Sequence, residues 1–344
     1  MSKSINTLWY TRCPVPTAVG IAVQLGLFER EFVRDGITLN SLQESRNPDE
    51  RESHFDHTLP SSFRQGGNIP AIWARARGRE TRVIGLSWTD EFQGLIALPD
   101  SGIKNARDLR DRRIGLPVNP VSIDFNRASA LRGFHSALDL EGLSLSNVEH
   151  VDLHAEPRED TAQGIGPDRE RRIREGYRAE VEALGRGEVD AVFVKGALGI
   201  EVARRLGAEV IAETGFHPDP AVRINNGTPR TLTVDAQLLE ERPDLVERFL
   251  SRVVEAGEWA RTHPDETIAY IARETTSTSD AVRQAYGRDA HEKLGTFLTE
   301  PAIDALEEFK DFLFEHGFLE ADFDARGWVD MGPLEQIDRA AKAA

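Results

Sequence analysis

Up to Asn226 the chain alternates short apolar runs with helical patterns, and this alternation constrains the fold more than any other feature. Runs rich in β-forming residues predict strands, and apolar residues repeating every three or four positions predict helices. The predicted strands are 7–11, 37–42, 82–88, 93–98, 112–116, 147–153, 189–194 and 208–214. The predicted helices run from Thr17 to Phe28, around 123–138 and over 177–187. Such alternation is typical of an α/β protein with mostly parallel sheets.

The pattern changes after Asn226, where the sequence predicts a nearly all-helical remainder. Segment 156–176 is the most polar stretch of the chain, and we interpret it as an insertion or a mobile loop.

Size and charge narrow the class of protein. A chain of 344 residues with 40% hydrophobic content suggests about two domains or lobes. The net charge of -16 argues against nucleic acid or an anionic membrane as partner, because both require a basic surface. The sequence shows no secretory signal and no apolar run long enough to span a membrane, so we expect a cytoplasmic protein, most simply a monomer.

Cys13 is the only cysteine, which excludes an internal disulfide and a cysteine-based zinc site. It lies in TLWYTRCPVPTAVG, between a predicted strand and a helix that Thr17 or Thr11 can cap. A thiolate near a helix N-terminus is stabilised by the helix dipole. Two interpretations remain at this point, a reactive thiol facing a cleft or a buried inert cysteine.

A second stretch, ERESHFDHTLPSSFRQGGNIPAIW, combines His54, His57, Arg64 and the pair Gly66-Gly67. The glycine turn leaves backbone N–H groups open, and Arg64 adds a planar fork, so together they can cradle an anion. His54 can activate a thiol or carry a proton, although a histidine in a polar loop is more often simply solvated. We predict no metal, because no carboxylate or third histidine completes a ligand set with His54 and His57.

Two further phrases, DLRDRRIGL and EALGRGEVDAVFV, resemble the type II periplasmic binding proteins, which include sulfonate, nitrate and thiamin-pyrimidine binders. The resemblance implies a two-lobed α/β clamshell with the ligand cleft between the lobes. Lobe one would comprise residues 1–112 and 220–344, and lobe two residues 113–219.

YTRCPVPTA, HF and FRQGGNIP together resemble the hydroxybiphenyl sulfinate desulfinase family of the dibenzothiophene desulfurisation pathway. That family has the solute-binding fold and comprises carbon–sulfur hydrolases that need no cofactor. The resemblance implies that Cys13, His54 and Arg64 are catalytic and that Arg64 and the Gly67 amide bind the sulfinate.

We expect further substrate contacts from residues that line the cleft, including positions where this sequence differs from the desulfinase family. Thr11, Arg12 and Leu59 differ from the family pattern, and Phe134 or His135 is expected to supply an aromatic ring from lobe two. The substrate-binding candidates are Thr11, Arg12, Phe55, Trp73, Gly94, Phe134 and Lys195.

The resulting hypothesis is an aryl sulfinate desulfinase that releases sulfite, with a small anion as its only expected partner. Cys13 either attacks the sulfur or donates a proton to the ring carbon, and His54 sets its protonation state. The alternative is a binding protein for a sulfonate or another small anion, without catalysis. A third reading, an enzyme resembling the thiamin-pyrimidine synthases, is opposed by the single cysteine.

Overall fold

The chain forms two mixed β-sheets flanked by helices. The computed structural model describes residues 5–154 and 175–343, with the backbone alone at Arg12 and Ala343. Nearly all of the polar segment predicted at 156–176 lies outside the described residues. The structure confirms the two-lobed α/β class, with one five-stranded sheet in each lobe.

The first sheet has the order β2-β1-β3-β10-β4. Its strands are β1 (Thr7–Arg12), β2 (Thr38–Ser41), β3 (Ser62–Gly66), β4 (Thr81–Ser87) and β10 (Arg230–Asp235). Strand β1 pairs in parallel with β2 and β3, whereas β10 is antiparallel to both of its neighbours.

The second sheet has the order β7-β6-β8-β5-β9. Its strands are β5 (Gln93–Ala97), β6 (Arg113–Val118), β7 (Glu149–His154), β8 (Ala191–Lys195) and β9 (Glu209–Glu213). Here β5 is the antiparallel strand, since β6 pairs in parallel with β7 and β8.

Helices cover the faces of both sheets. In chain order they are α1 (Ala18–Gln24), α2 (Leu27–Phe32), α3 (Pro48–Asp56), α4 (Asn68–Ala76), α5 (Phe125–Asp139), α6 (Arg178–Gly185), α7 (Gly196–Leu206), α8 (Pro220–Arg223), α9 (Ala236–Glu241), α10 (Pro243–Thr262), α11 (Pro264–Glu274), α12 (Ser279–Tyr286), α13 (Glu300–Glu315) and α14 (Gly332–Ala343). In the described ranges, no helix is both long and apolar enough to cross a membrane.

Every predicted strand is present within a few residues, but two strands escaped prediction. Strand β3 carries Arg64 and Gln65 in the middle of a sheet, so its sequence lacks the apolar signature of a buried strand. Strand β10 lies at the start of the region that the sequence predicted to be nearly all helical, and the structure corrects the prediction there. It forms because it completes the first sheet between β3 and β4.

The helix predicted from Thr17 to Phe28 is divided in two. Gly26 has a φ of 67° and interrupts the helix between α1 and α2. Thr17 caps α1 as predicted, because its hydroxyl accepts a hydrogen bond from the Gly20 amide at 3.1 Å.

The lobe boundaries were predicted from the resemblance to type II periplasmic binding proteins. The strand pairing departs from those boundaries at one strand. Strand β5 was assigned to lobe one but pairs with β8 and β9 in the second sheet. The chain therefore first passes between the sheets over residues 88–92, and it returns over 214–229.

Two hydrophobic cores join the lobes. One contains Leu8 and Phe63 of the first sheet together with Val192 and Val194 of the second. The other combines residues of β4 and α4 with residues of β5, β6 and α5. Because each core draws on both sheets, we expect the lobes to support each other's stability.

Candidate active site around Cys13

Cys13 follows β1 directly, at the edge where the chain leaves the sheet for helix α1. Its side chain is 5% exposed and forms no disulfide. The Gln65 side chain holds the start of α1 by accepting a hydrogen bond from the Val19 amide at 2.8 Å. Strand β3 thus fixes the helix that follows the thiol.

The end of β3 packs against the sulfur. An ideal Cβ placed on Gly66 would lie 2.2 Å from Cys13 Sγ, so only a glycine leaves room for the thiol there. The backbone N–H of the next residue, Gly67, forms a hydrogen bond with Cys13. The two glycines predicted to cradle an anion therefore adjoin the cysteine.

Arg64 is buried on the same strand and is held by two backbone carbonyls. Its Nε donates to His54 O at 3.0 Å, and its Nη1 donates to Gly67 O at 2.7 Å. The same ideal Cβ position on Gly66 lies 3.6 Å from Arg64 Nη2. The remaining guanidinium nitrogen is thus close to the thiol and available to an anion.

Burial and charge oppose each other at Cys13. Burial raises the pKa of the thiol, whereas the positive charges of Arg64 and Arg230 and the Gly67 hydrogen bond act to lower it. The Glu274 carboxylate acts in the same direction as burial. The net shift is upward, so the thiol carries its proton at neutral pH.

His54 lies on helix α3, not in a loop as the sequence suggested. Its Nδ1 faces the Gln43 amide nitrogen at 3.1 Å, which assigns the ring proton to Nε2. Burial first, and Arg64 second, hold the pKa of His54 well below its usual range. In the described part of the chain, no hydrogen bond joins this neutral imidazole to Cys13.

The second histidine of the pair, His57, caps α3 with a φ of 53°. Its Nε2 is buried without a hydrogen-bond partner, and burial, Arg64 and His54 lower its pKa well below the ordinary value. Among the described residues, no group of three or more histidine, cysteine or acidic side chains is arranged to hold a metal.

Phe55 meets an aromatic ring of lobe two that the sequence did not identify. The rings of Phe55 and Phe125 stack with centroids 6.1 Å apart and planes inclined by 13°. Phe55 also packs edge-on against His54, at 4.6 Å between ring centroids. Nearby, the Ser122 hydroxyl donates to Glu52 of α3, so α3 contacts lobe two at two points.

The aromatic residues predicted for this role lie elsewhere. Phe134 is fully buried in the core, where no substrate reaches it. His135 packs against Phe312, at 5.5 Å between ring centroids. Phe125 could have been noticed as an aromatic residue directly after the helix cap Asp124, at the end of α5 that faces α3.

Trp73 and Gly94 each pack closely against a neighbouring side chain. Trp73 packs beneath the Arg77 guanidinium, at 5.0 Å, near the opposite end of α4 from Gly67. Gly94 lies within β5, and an ideal Cβ there would be 2.4 Å from the Phe92 ring. Both residues therefore have a packing role in the structure.

Thr11 lies opposite Arg64 in the pairing of β1 with β3, and its hydroxyl is buried without a hydrogen-bond partner. This position keeps it a candidate for the site. Arg12 ends β1, and its side chain lies outside the described part of the structure.

Lys195 is engaged by protein groups. Its Nζ donates to Glu91 at 2.6 Å, and the other carboxylate oxygen of Glu91 accepts from Arg230 at 3.2 Å. Sequence reasoning missed Glu91 and Arg230, because they approach each other only when residues 139 positions apart come together.

Asn226 is another residue that the sequence analysis missed. Its side-chain oxygen accepts a hydrogen bond from the Ile69 amide at 3.0 Å, and its carbonyl accepts one from the Asn68 amide at 2.8 Å. These bonds anchor the start of α4 and thereby hold Gly67 beside the thiol.

No family model matches the chain. In sequence, it is 28% identical to the 2'-hydroxybiphenyl-2-sulfinate desulfinases of Rhodococcus erythropolis and Rhodococcus qingshengii, over 92% of this chain and 89% of theirs. The chain is homologous to these desulfinases. The resemblance stated from the motifs around Cys13 and Arg64 is thereby confirmed.

Solved structures agree with this assignment. The desulfurization enzyme DSZB superposes with a TM-score of 0.76 and 26% identity, covering 98% of this chain and 99% of that one. Its cysteine-to-serine mutant in complex with biphenyl-2-sulfinic acid matches with a TM-score of 0.74. The periplasmic aliphatic sulphonate binding protein SsuA of Escherichia coli shares the fold, with a TM-score of 0.66 and 15% identity over 95% of this chain and 92% of that one.

Proposed function

We propose that this protein is an aryl sulfinate desulfinase, an enzyme that hydrolyses a carbon–sulfur bond and releases sulfite. The observation that carries the proposal is the close packing of the Cys13 thiol on Gly66, with the Gly67 N–H and a free Arg64 nitrogen beside it. Homology to the sulfinate desulfinases supports the same conclusion.

The anion would be bound by groups that are already in position. Arg64 offers Nη2, since its other nitrogens are held by His54 O and Gly67 O. The Gly67 N–H offers a second donor next to the thiol. Charge-assisted bonds of this kind are roughly twice as strong as neutral ones, and a buried site strengthens them further. The aryl ring of the substrate would lie near Phe55 and Phe125.

The protonation state of Cys13 favours proton donation over nucleophilic attack. A thiol whose pKa is raised by burial holds its proton at neutral pH. It would transfer this proton to the ring carbon that bears sulfur. A ring π pair forms the new C–H bond, and the carbon–sulfur bond then breaks and returns its electron pair to the ring as SO2 departs. The departing SO2 adds water to give bisulfite, and the proton released returns to the Cys13 thiolate.

Three groups would support this step. The Cys13 thiolate that forms is stabilised by the Arg64 charge and by the Gly67 N–H, both of which lower the pKa of the thiol. His54 stays neutral and keeps Nε2–H as its donor, because its Nδ1 is occupied by Gln43. In this scheme His54 donates a hydrogen bond to the anion and does not take the Cys13 proton.

The test is sulfite release from a panel of aryl and alkyl sulfinates, with wild type and Cys13→Ser. We expect sulfite from the wild type only, while Cys13→Ser still binds the substrate and is stabilised by it. Gly185→Ala is a suitable control, because nothing lies within 4 Å of an added Cβ there. Near-normal turnover by Cys13→Ser would refute the assignment.

A binding protein for a sulfonate is the competing function, favoured by the fold shared with the SsuA protein. It predicts saturable binding of sulfonates and no sulfite from any sulfinate. We also propose that the enzyme acts in the cytoplasm as a monomer, which cell fractionation and light scattering would test.

A further inference from the structure

Three charged residues from different parts of the fold meet in a buried cluster beside the site. Glu91 lies in the passage from the first sheet to the second, Arg230 begins strand β10 and Lys195 ends strand β8. Their side chains are 2%, 0% and 19% exposed, respectively. The cluster therefore connects both sheets through one carboxylate.

The Glu91 carboxylate serves both cations. One oxygen accepts from Lys195 Nζ at 2.6 Å, and the other accepts from Arg230 Nη2 at 3.2 Å. An ideal Cβ on Gly227 would lie 2.1 Å from the first oxygen, so the site is closely packed around it. The two cations hold the pKa of Glu91 below its usual range despite burial, so the carboxylate is charged.

The cluster carries an excess positive charge, because one carboxylate faces two cations. The hydroxyls of Tyr177 and Tyr286 also approach the cluster, and burial raises the pKa of Tyr177, which therefore stays neutral. The carboxylate of the preceding residue, Asp90, does not neutralise these two cations, because it pairs with Arg223 and Lys293 instead.

Arg230 is positioned to act on the thiol. It precedes Thr231, which lies opposite Gly66 in the pairing of β10 with β3, and Gly66 packs on Cys13 Sγ. Its Nη1 donates to Thr89 O at 3.1 Å, while its Nε is buried without a partner. Among the side chains that the structure describes, the other charges acting on Cys13 are Arg64 of β3 and Glu274 of α11.

We propose that Glu91, Arg230 and Lys195 form a positioning relay through which lobe two controls the charge state of Cys13. Lys195 engages Glu91, and this leaves part of the Arg230 charge free to stabilise the thiolate. The inference deepens the proposed function. The effect of the relay on Cys13 ionisation does not depend on that function, whereas its effect on turnover does. Under that function, the relay stabilises the thiolate that remains after proton transfer.

The chain offers a direct readout, since Cys13 is its only cysteine. Alkylation by iodoacetamide, followed as a function of pH by mass spectrometry, reports the ionisation of that thiol alone. The midpoint of the profile is compared between variants, because limited access to the thiol changes the absolute rate but not the midpoint. The measurement does not require any desulfinase activity.

Lys195→Met should raise the midpoint by about half a pH unit, and alkylation below the midpoint should be about threefold slower. Glu91→Gln should shift the midpoint in the opposite direction, because it removes the negative charge. Lys195→Arg should keep the wild-type midpoint. Lys104→Met is the matched control, since Lys104 forms an exposed pair with Glu209 of the same sheet.

Opposite shifts in Lys195→Met and Glu91→Gln would support the relay, because a purely structural role does not reverse its sign with charge. An unchanged midpoint in Lys195→Met, in protein that melts as the wild type does, would overturn the proposal. If Glu91→Gln does not fold, the comparison of Lys195→Met with Lys195→Arg decides alone. If the variants show the expected midpoint shifts but the wild type releases no sulfite from any sulfinate, only the proposed function is refuted.

Discussion

At the scale of single residues, Cys13 owes its chemistry to neighbours that leave it no space and to charges that oppose its burial. Gly66 is required by the 2.2 Å separation between an added Cβ and the sulfur. Arg64 is placed by two carbonyls that leave one nitrogen of its guanidinium available. The thiol therefore has a fixed position, a retained proton and a cation ready to stabilise its anion.

Under the proposed function, replacing Gly66 by alanine should slow sulfite release without unfolding the protein. The added methyl group must displace the sulfur, and a displacement of about 1 Å at a reacting atom costs about a hundredfold in rate. We expect kcat/KM for sulfite release to fall by about that factor. Gly185→Ala, measured alongside, should remain fully active. Unchanged kinetics in Gly66→Ala would show that the thiol is not held as described.

The pH dependence of sulfite release should distinguish the two possible roles of Cys13. Because burial raises the pKa of the thiol, a proton donor remains competent through neutral pH and loses activity as alkaline pH ionises it. We therefore expect kcat/KM to be level near pH 7 and to fall above the raised pKa. A nucleophilic thiolate would give the opposite slope, with activity rising toward alkaline pH.

At the scale of elements, α3 and β3 assemble most of the site. Helix α3 places His54 and Phe55 toward the cleft, and its carbonyl at His54 receives Arg64 from β3. His57 caps this helix with a positive φ, and its buried Nε2 has no hydrogen-bond partner, while burial and the Arg64 charge lower its pKa. A single short helix thus carries two candidate substrate contacts and a buried histidine of lowered pKa.

His57 should make stability fall in mild acid. Its pKa in the folded protein is well below the ordinary value of about 6.5, so the unfolded chain binds a proton that the folded chain does not. This stabilising contribution is complete above pH 6.5 and is lost as pH falls below it. His57→Asn tolerates the positive φ and should reduce the decrease in Tm between pH 7.5 and 5.5. The control His154→Asn, at an exposed position, should leave the decrease in Tm between pH 7.5 and 5.5 unchanged.

The contact between Phe55 and Phe125 should matter for aryl substrates. Removing the ring in Phe125→Ala takes away an aromatic surface worth about 1 kcal/mol, so KM for aryl sulfinates should rise several-fold. Alkyl sulfinates, which have no ring to stack, should be affected much less. Phe314→Ala, at an exposed position, is the control. An equal effect on both substrate classes would indicate a general loss of structure.

At the scale of the whole molecule, the lobes are joined by shared cores as well as by the two passages of the chain. Leu8 and Phe63 of the first sheet belong to the same core as Val192 and Val194 of the second. Ion pairs reinforce the passages, since Glu91 contacts Lys195 on one side and Arg230 on the other. Neither lobe buries its apolar surface alone.

The chain should therefore unfold in a single cooperative transition in urea. All five tryptophans lie outside residues 93–213, so their fluorescence reports on lobe one, whereas far-UV circular dichroism reports on both lobes. We expect the two signals to change together, with one midpoint. Separate midpoints would show that lobe two unfolds independently.

The sequence by itself determined the alternation of strands and helices and the Thr17 cap, and its motifs around Cys13 and Arg64 carried the resemblance to the desulfinases. These features are local, because side-chain period, caps and turn residues act over a few positions. Apolar patterning could not reveal β3, whose buried positions are polar, and it assigned β10 to a helical region because β10 depends on its partners β3 and β4.

Only the tertiary structure brought Phe125 to Phe55 and moved Phe134 and Trp73 into the core. It also joined Glu91 to Arg230 across 139 residues and to Lys195 across 104. The physical reason is that a buried charge is stable only beside its partners, and those partners are chosen by how the sheets pack. The sequence supplied the reacting groups, and the packing of two sheets decided which charges surround them.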